Sequence, residues 1–175
     1  MPEKQEKAAV TTTQWHYTIG TKLVQIIKSG KILPATAGVR GKEKPVVWFS
    51  SREDWEPTAN KLLVNETTGA FHSCTKEETH ELGGGLVRIG VAPEIAGHDW
   101  KAFKQESGIS RKVAHGLYNA AVSQGSRPGD WYVSFSPVPR SQWLAIELWD
   151  GSQWVPVKQD EWDDLLAKLE ETETE

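Results

Sequence analysis

The sequence has a single cysteine, Cys74, so its 175 residues cannot form an internal disulfide. A lone thiol fits a reducing, cytoplasmic setting. No stretch reaches the ~20 consecutive apolar residues that cross a bilayer, so neither a spanning helix nor a membrane partner is expected. The opening Met1-Pro2-Glu3-Lys4-Gln5-Glu6-Lys7 mixes charges and precedes no apolar run, unlike a secretory signal. A strong excess of one charge is also missing: 20 Lys and Arg stand against 24 Asp and Glu. Eight acids and one lysine lie between Gln159 and Glu175, leaving 19 basic and 16 acidic side chains for the other residues. A body charged at +3 is no nucleic-acid footprint, yet a local anionic ligand remains compatible with it. What is present is 38% hydrophobic residues, nine tryptophans, fifteen glycines and nine prolines. That is enough for one domain with a sizeable core, and it suggests a mixed, turn-rich fold rather than a helical bundle.

Periodicity divides the chain. Residues 1–13 are polar and aperiodic and are expected to form a disordered arm. Trp15, Tyr17 and Ile19 alternate with Gln14, His16 and Thr18, the pattern of a strand. Leu23, Ile26 and Ile27 then mark a short helix that stops at Ser29-Gly30. A loop carrying Arg40, Lys42 and Lys44 leads to a second strand, Val46–Phe49. Pro57 suits the first turn of a helix, which is expected to run through Ala59, Leu62 and Leu63. Residues 65–85 are mostly polar and are expected to be a mobile segment. A third strand covers 86–92, a short helix 99–106, and a longer one 110–124. The longer helix has Ser110 as N-cap and Val113, Leu117, Ala121 and Val122 as its apolar stripe. Strands follow from Trp131 and over Trp143–Trp149, with an Asp150-Gly151 hairpin into Trp154–Val157. An acidic amphipathic helix and tail, 158–175, close the chain and are expected to aid solubility. Helices lie between the early strands and strands cluster late, which is the α+β class.

Two polar residues are out of place in apolar strands. His16 lies opposite Trp15, Tyr17 and Ile19, so it faces a surface or cleft if those three face the core. Glu147 shares a strand face with Ala145 and Trp149, where a carboxylate needs a partner or a purpose. Alone, each fits an exposed or hydrogen-bonded strand residue; together they suggest one cleft. His72, Cys74 and His80 lack paired metal-ligand spacing, and no metal is expected. Gly83-Gly84-Gly85 precedes a strand instead of opening a helix, so it does not read as a phosphate loop. Lys101, Lys104, Arg111 and Lys112 read first as a solvated basic face. Trp48 and Trp55 are candidates to stack on a planar ring.

The order of these motifs over residues 14–157 resembles the histidine-first branch of the ADP-ribosyltransferase superfamily, which includes diphtheria-type toxins, poly-ADP-ribose polymerases and RNA 2′-phosphotransferases. The matching segments are Trp15-His16-Tyr17-Thr18 with Ile26, Ile27, Gly30 and Ile32; Val46-Val47-Trp48-Phe49-Ser50; and Pro137-Val138-Pro139-Arg140 before Trp143–Glu147. The resemblance implies split, strongly twisted sheets with short flanking helices around an NAD site. It implies that His16 binds a ribose hydroxyl, that Thr18 holds the nicotinamide end, and that Trp48, Phe49 or Ser50 lines the nicotinamide pocket. Arg40, Arg52 or Lys61 would pair with the pyrophosphate. Glu147 would stabilise the oxocarbenium formed as nicotinamide leaves. The implied function is NAD-dependent transfer of ADP-ribose to a macromolecular acceptor, as in a toxin or defence modifier. Ala145 stands where arginine-modifying members carry Glu or Gln, so arginine is not the expected acceptor. The alternatives are RNA 2′-phosphate transfer and a catalytically inactive module of the same fold that binds a nucleotide or a protein.

Overall fold

The computed structural model describes residues 12–172. The alternating segment at the start forms strand β1 (Gln14–Ile19) and turns directly into helix α1 (Gly20–Ser29). That turn is tight enough to need glycine: a Cβ on Gly20 would sit 2.1 Å from the Gly84 carbonyl oxygen. Gly30, left-handed at φ 69°, returns its N–H to the Ile26 and Ile27 carbonyls and ends α1 as expected. The chain continues through β2 (Lys31–Ile32), the basic loop and β3 (Val47–Ser50).

Two expectations fail in the next segment. Pro57 begins only one 3₁₀ turn, Pro57–Ala59, and Leu62 and Leu63 lie in strand β4 (Leu62–Val64). This strand pairs with β5 (Phe71–Ser73) as a hairpin on the surface. The Thr79 hydroxyl takes the Lys61 N–H, which a helix continuing through Lys61 would have used. The stretch 65–85, read as one mobile polar segment, also differs in that it carries β5 and helix α2 (Lys76–Gly83). Thr75 and Glu78 form a reciprocal capping box, a signal present in the sequence as T-x-x-E.

Strand β6 (Leu86–Val91) is buried throughout. After β7 (His98–Asp99) come α3 (Trp100–Glu106), capped by Asp99, and α4 (Arg111–Ser123), capped by Ser110. The chain then forms β8 (Trp131–Ser134), β9 (Val138–Pro139), β10 (Trp143–Trp149), β11 (Trp154–Val157) and α5 (Trp162–Thr172). The protein is α+β. One antiparallel sheet of seven strands runs β11-β10-β6-β1-β3-β8-β7, and β2–β9 and β4–β5 form separate pairs.

The sheet is weakly joined at one seam. β1 pairs with β6 over six positions but with β3 only at Trp15 and Ser50. On one face α1 and α5 cover Val87, Ile89, Val91 and Ile146, with Leu23, Ile27, Trp162 and Leu165 filling the gap. The acidic final helix is therefore part of the core, not a solubilising appendage. The other face carries the Trp15, Tyr17, Trp55 and Trp154 cluster, and beyond the seam Trp48, Phe103 and Val133. The arm expected over 1–13 lies almost wholly outside the described residues. Among those described, no helix is long and apolar enough to cross a membrane.

Candidate functional site

Register decides whether His16 and Glu147 meet. Across β1, β6 and β10, His16 stands opposite Ile89 and Ile146, while Tyr17 stands opposite Arg88 and Glu147. Directly opposed residues share a face and neighbours in sequence do not. The imidazole therefore faces the α1–α5 side and the carboxylate the tryptophan side, with β6 between their strands. The structure does not bring the expected catalytic pair together.

Each residue has a local partner instead. His16 sits at the loose β1–β3 seam, where its Nδ1 lies 2.8 Å from the Trp48 carbonyl and its ring 5.8 Å from that of Phe49. It supplies the Trp48 carbonyl with a partner beside the single paired position of the seam. Burial lowers its pKa below the usual 6.5, opposed by the bond to Trp48 and helped by nearby Lys22. Glu147 accepts two bonds on Oε2 from Arg88, from Nε at 2.8 Å and Nη2 at 2.6 Å. The Arg88 guanidinium lies 3.8 Å from the Trp15 ring and 4.8 Å from that of Trp154. Around it, Tyr17, Arg88 and Trp154 donate to the successive carbonyls of Arg52, Glu53 and Asp54. This face thus clamps the loop after β3. Burial pushes the Tyr17 hydroxyl up to about 12.

The other expected ligand-binding residues scatter. Thr18 and Phe49 share the face of His16 and are buried. Ser50 points the other way, donating to Glu56 at 2.9 Å. Arg52 is occupied by the Gly125 carbonyl at 2.9 Å, and Lys61 lies half-buried at the base of the β4–β5 hairpin. Glu56 is a buried carboxylate missed in the sequence; Ser50, Thr58 and Ser126 each donate a hydroxyl to it. The missed partner of Glu147 was legible: Arg88 stands between Val87 and Ile89 mid-strand, an equally misplaced charge.

Trp48 and the Arg40 loop do come together. A pocket of about 170 Å³ is lined by Ala35, Gly38, Val39, Glu43, Lys44 and Val46 of that loop, by Trp48 and Phe103, and by Ile109, Val113 and Leu117; the Glu43 carboxylate accepts the Arg40 backbone N–H at 3.4 Å. Trp48 packs edge-on against Phe103 at 4.7 Å and Trp131 at 5.5 Å. At the mouth, the expected apolar stripe of α4 is split: Val113, Leu117 and Val122 are exposed, while Ala121 is buried together with Ala114. Arg40, Lys42, Lys44, Lys101, Lys104, Arg111 and Lys112 border the pocket or lie in the elements that line it. No carboxylate among the described residues lies within 4.0 Å of these cations. Arg111 and Lys112 occupy the first turn of α4, with no acid there. Cations at the positive end of a helix cost about 0.3–1 kcal/mol each, unless an anion offsets them. Of the remaining arginines, Arg88 is held by Glu147, Arg127 by Asp130 and Arg140 by Asp163.

Comparison with family models, with curated proteins and with solved structures finds no match to this chain.

Proposed function

We propose that this chain is a non-catalytic nucleotide-binding module that takes a planar ring into the Trp48 pocket and phosphates onto the surrounding cations. The observation that carries this reading is a mostly apolar pocket, with one carboxylate, Glu43, in its wall, bordered by basic side chains that make no ion pair with any described residue. Its volume of about 170 Å³ is below the ~300–1,000 Å³ typical for sites that enclose drug-sized ligands. One ring fits inside, so the rest of a nucleotide, NAD included, lies across the basic surface. Arginine and lysine there supply charge-assisted bonds to phosphate, and the α4 N-terminus adds to the positive field.

Transfer of ADP-ribose through His16 and Glu147 has no support in this arrangement, because the two groups occupy opposite faces and Arg88 holds the carboxylate. RNA 2′-phosphate transfer is supported no better, with only Arg40 and Arg111 of the six arginines free of a protein partner. Titration calorimetry with ADP, NAD and adenosine tests the proposal. ADP and NAD should bind saturably and more weakly as salt rises, and adenosine more weakly than either. Val113→Trp, which fills the pocket mouth, and the pair Lys44→Glu with Arg111→Glu should abolish binding without lowering the melting temperature. Absence of saturable ADP binding at millimolar concentration overturns the proposal. Nicotinamide release from NAD that is lost in Glu147→Gln would instead restore the enzymatic reading.

A further inference from the structure

We propose that His72, Cys74 and Glu78 form a binding site for a zinc-class divalent cation that ties the β4–β5 hairpin to the N-terminus of α2. A His72 ring nitrogen, the Cys74 sulfur and a Glu78 carboxylate oxygen all lie within 4.8 Å of one another. His72 Nε2 and Glu78 Oε2 are already 3.2 Å apart. Around a tetrahedral zinc with bonds of about 2.0–2.3 Å, adjacent ligand atoms stand roughly 3.3–3.6 Å apart. Closure onto an ion therefore requires movements no larger than about an ångström. A set of one nitrogen, one sulfur and one oxygen suits zinc, and three protein ligands leave the fourth position to water.

The ligands are held from behind. Glu78 Oε2 accepts the Thr75 backbone N–H at 2.8 Å, and the Cys74 N–H donates to the Lys61 carbonyl at 2.8 Å. His80, which the sequence spacing put forward, turns away: its Nδ1 accepts the Leu86 N–H at 3.3 Å. Beyond its base, where the Lys61 N–H donates to Thr79 of α2, the hairpin has little to hold it. All six of its strand residues are exposed, with Phe71 at 70%, and a two-stranded hairpin without a core is marginal in water. On binding, the Cys74 S–H bond breaks, its proton leaves to solvent and the sulfur–metal bond forms. His72 binds through the nitrogen that faces Glu78, in the tautomer that carries the ring proton on the other nitrogen.

Zinc chloride added to the reduced full-length chain, in competition with a chromophoric chelator, tests the site. One equivalent should bind, with release of about one proton. Cobalt(II) should give thiolate-to-metal charge-transfer absorption, and proteolysis within residues 65–70 should slow. Cys74→Ser and His72→Gln should each weaken zinc binding at least ~100-fold, the upper end of what loss of a mere supporting group costs. His115→Gln, on exposed α4, should leave it unchanged. His72 is exposed, so its variant keeps the test valid even if loss of the buried Cys74 disturbs folding. No stoichiometric binding at micromolar zinc, or full binding by His72→Gln, overturns the proposal.

Discussion

The two sides of the β1–β3 seam solve the same packing problem differently. On the β6–β10 side, α1 buries Leu23, Val24 and Ile27, and α5 adds Trp162 and Leu165. On the β3–β8 side, α4 is the longer helix yet buries only Ala114 and Ala121. Both helices carry an apolar stripe at helical spacing. The difference teaches that a stripe reports a face seeking cover, and that only the neighbouring elements decide whether cover exists. The closed side holds most of the buried apolar side chains, and the open side is where the proposed nucleotide would enter.

The largest effects should break the closed side. Glu147→Ala leaves the Arg88 guanidinium buried beside two tryptophans without its carboxylate, and should cost about 3–5 kcal/mol in urea unfolding. A shape-matched apolar replacement of both partners, Arg88→Met with Glu147→Leu, should recover most of that loss. A single substitution costing under about 1 kcal/mol would show that the ion pair is not what holds the 52–54 loop. Leu23→Ala in α1 should cost about 2–5 kcal/mol by the same measurement. Leu117→Ala at the corresponding stripe of α4 should stay within about 0.5 kcal/mol. Equal costs would erase the distinction between the two sides.

Smaller effects come from titration. The Tyr17 hydroxyl, raised to about 12, stays protonated in the folded chain while the unfolded chain ionises near 10. Stability should therefore fall as pH rises from about 10 to 12, and Tyr17→Phe should flatten that profile. His16 has the opposite sense. Its folded pKa lies below 6.5, so the unfolded chain binds more protons as pH falls below that value. The stability from neutral His16 is complete above about 6.5 and declines below it, by at most ~1.4 kcal/mol per pH unit. His16→Gln should remove that decline, read from melting temperatures between pH 7 and 5.

Much of the fold was legible. The alternation at Gln14–Ile19, the Gly30 stop, the Ser110 cap and the Asp150-Gly151 hairpin all depend on local geometry, which neighbouring residues encode. The hairpin at Leu62–Ser73 was not legible, because a short apolar run fits helix and strand alike until a partner strand is known. For the site, strand alternation correctly gave His16 and Glu147 each a face. Which faces coincide depends on pairing between strands 59 residues or more apart, and register alone flips a side chain from one side of the sheet to the other.

By itself, then, the amino-acid order determined the α+β class, most of the longer elements with several of their ends, and the out-of-place His16 and Glu147, since capping, turns and periodicity act over a few residues. Only the tertiary structure decided that β6 places Arg88 against Glu147, that α5 joins the core and α4 stands open, and that Trp48 meets the basic loop. Those outcomes turn on strand register and on which apolar face reaches which, quantities that no local segment contains.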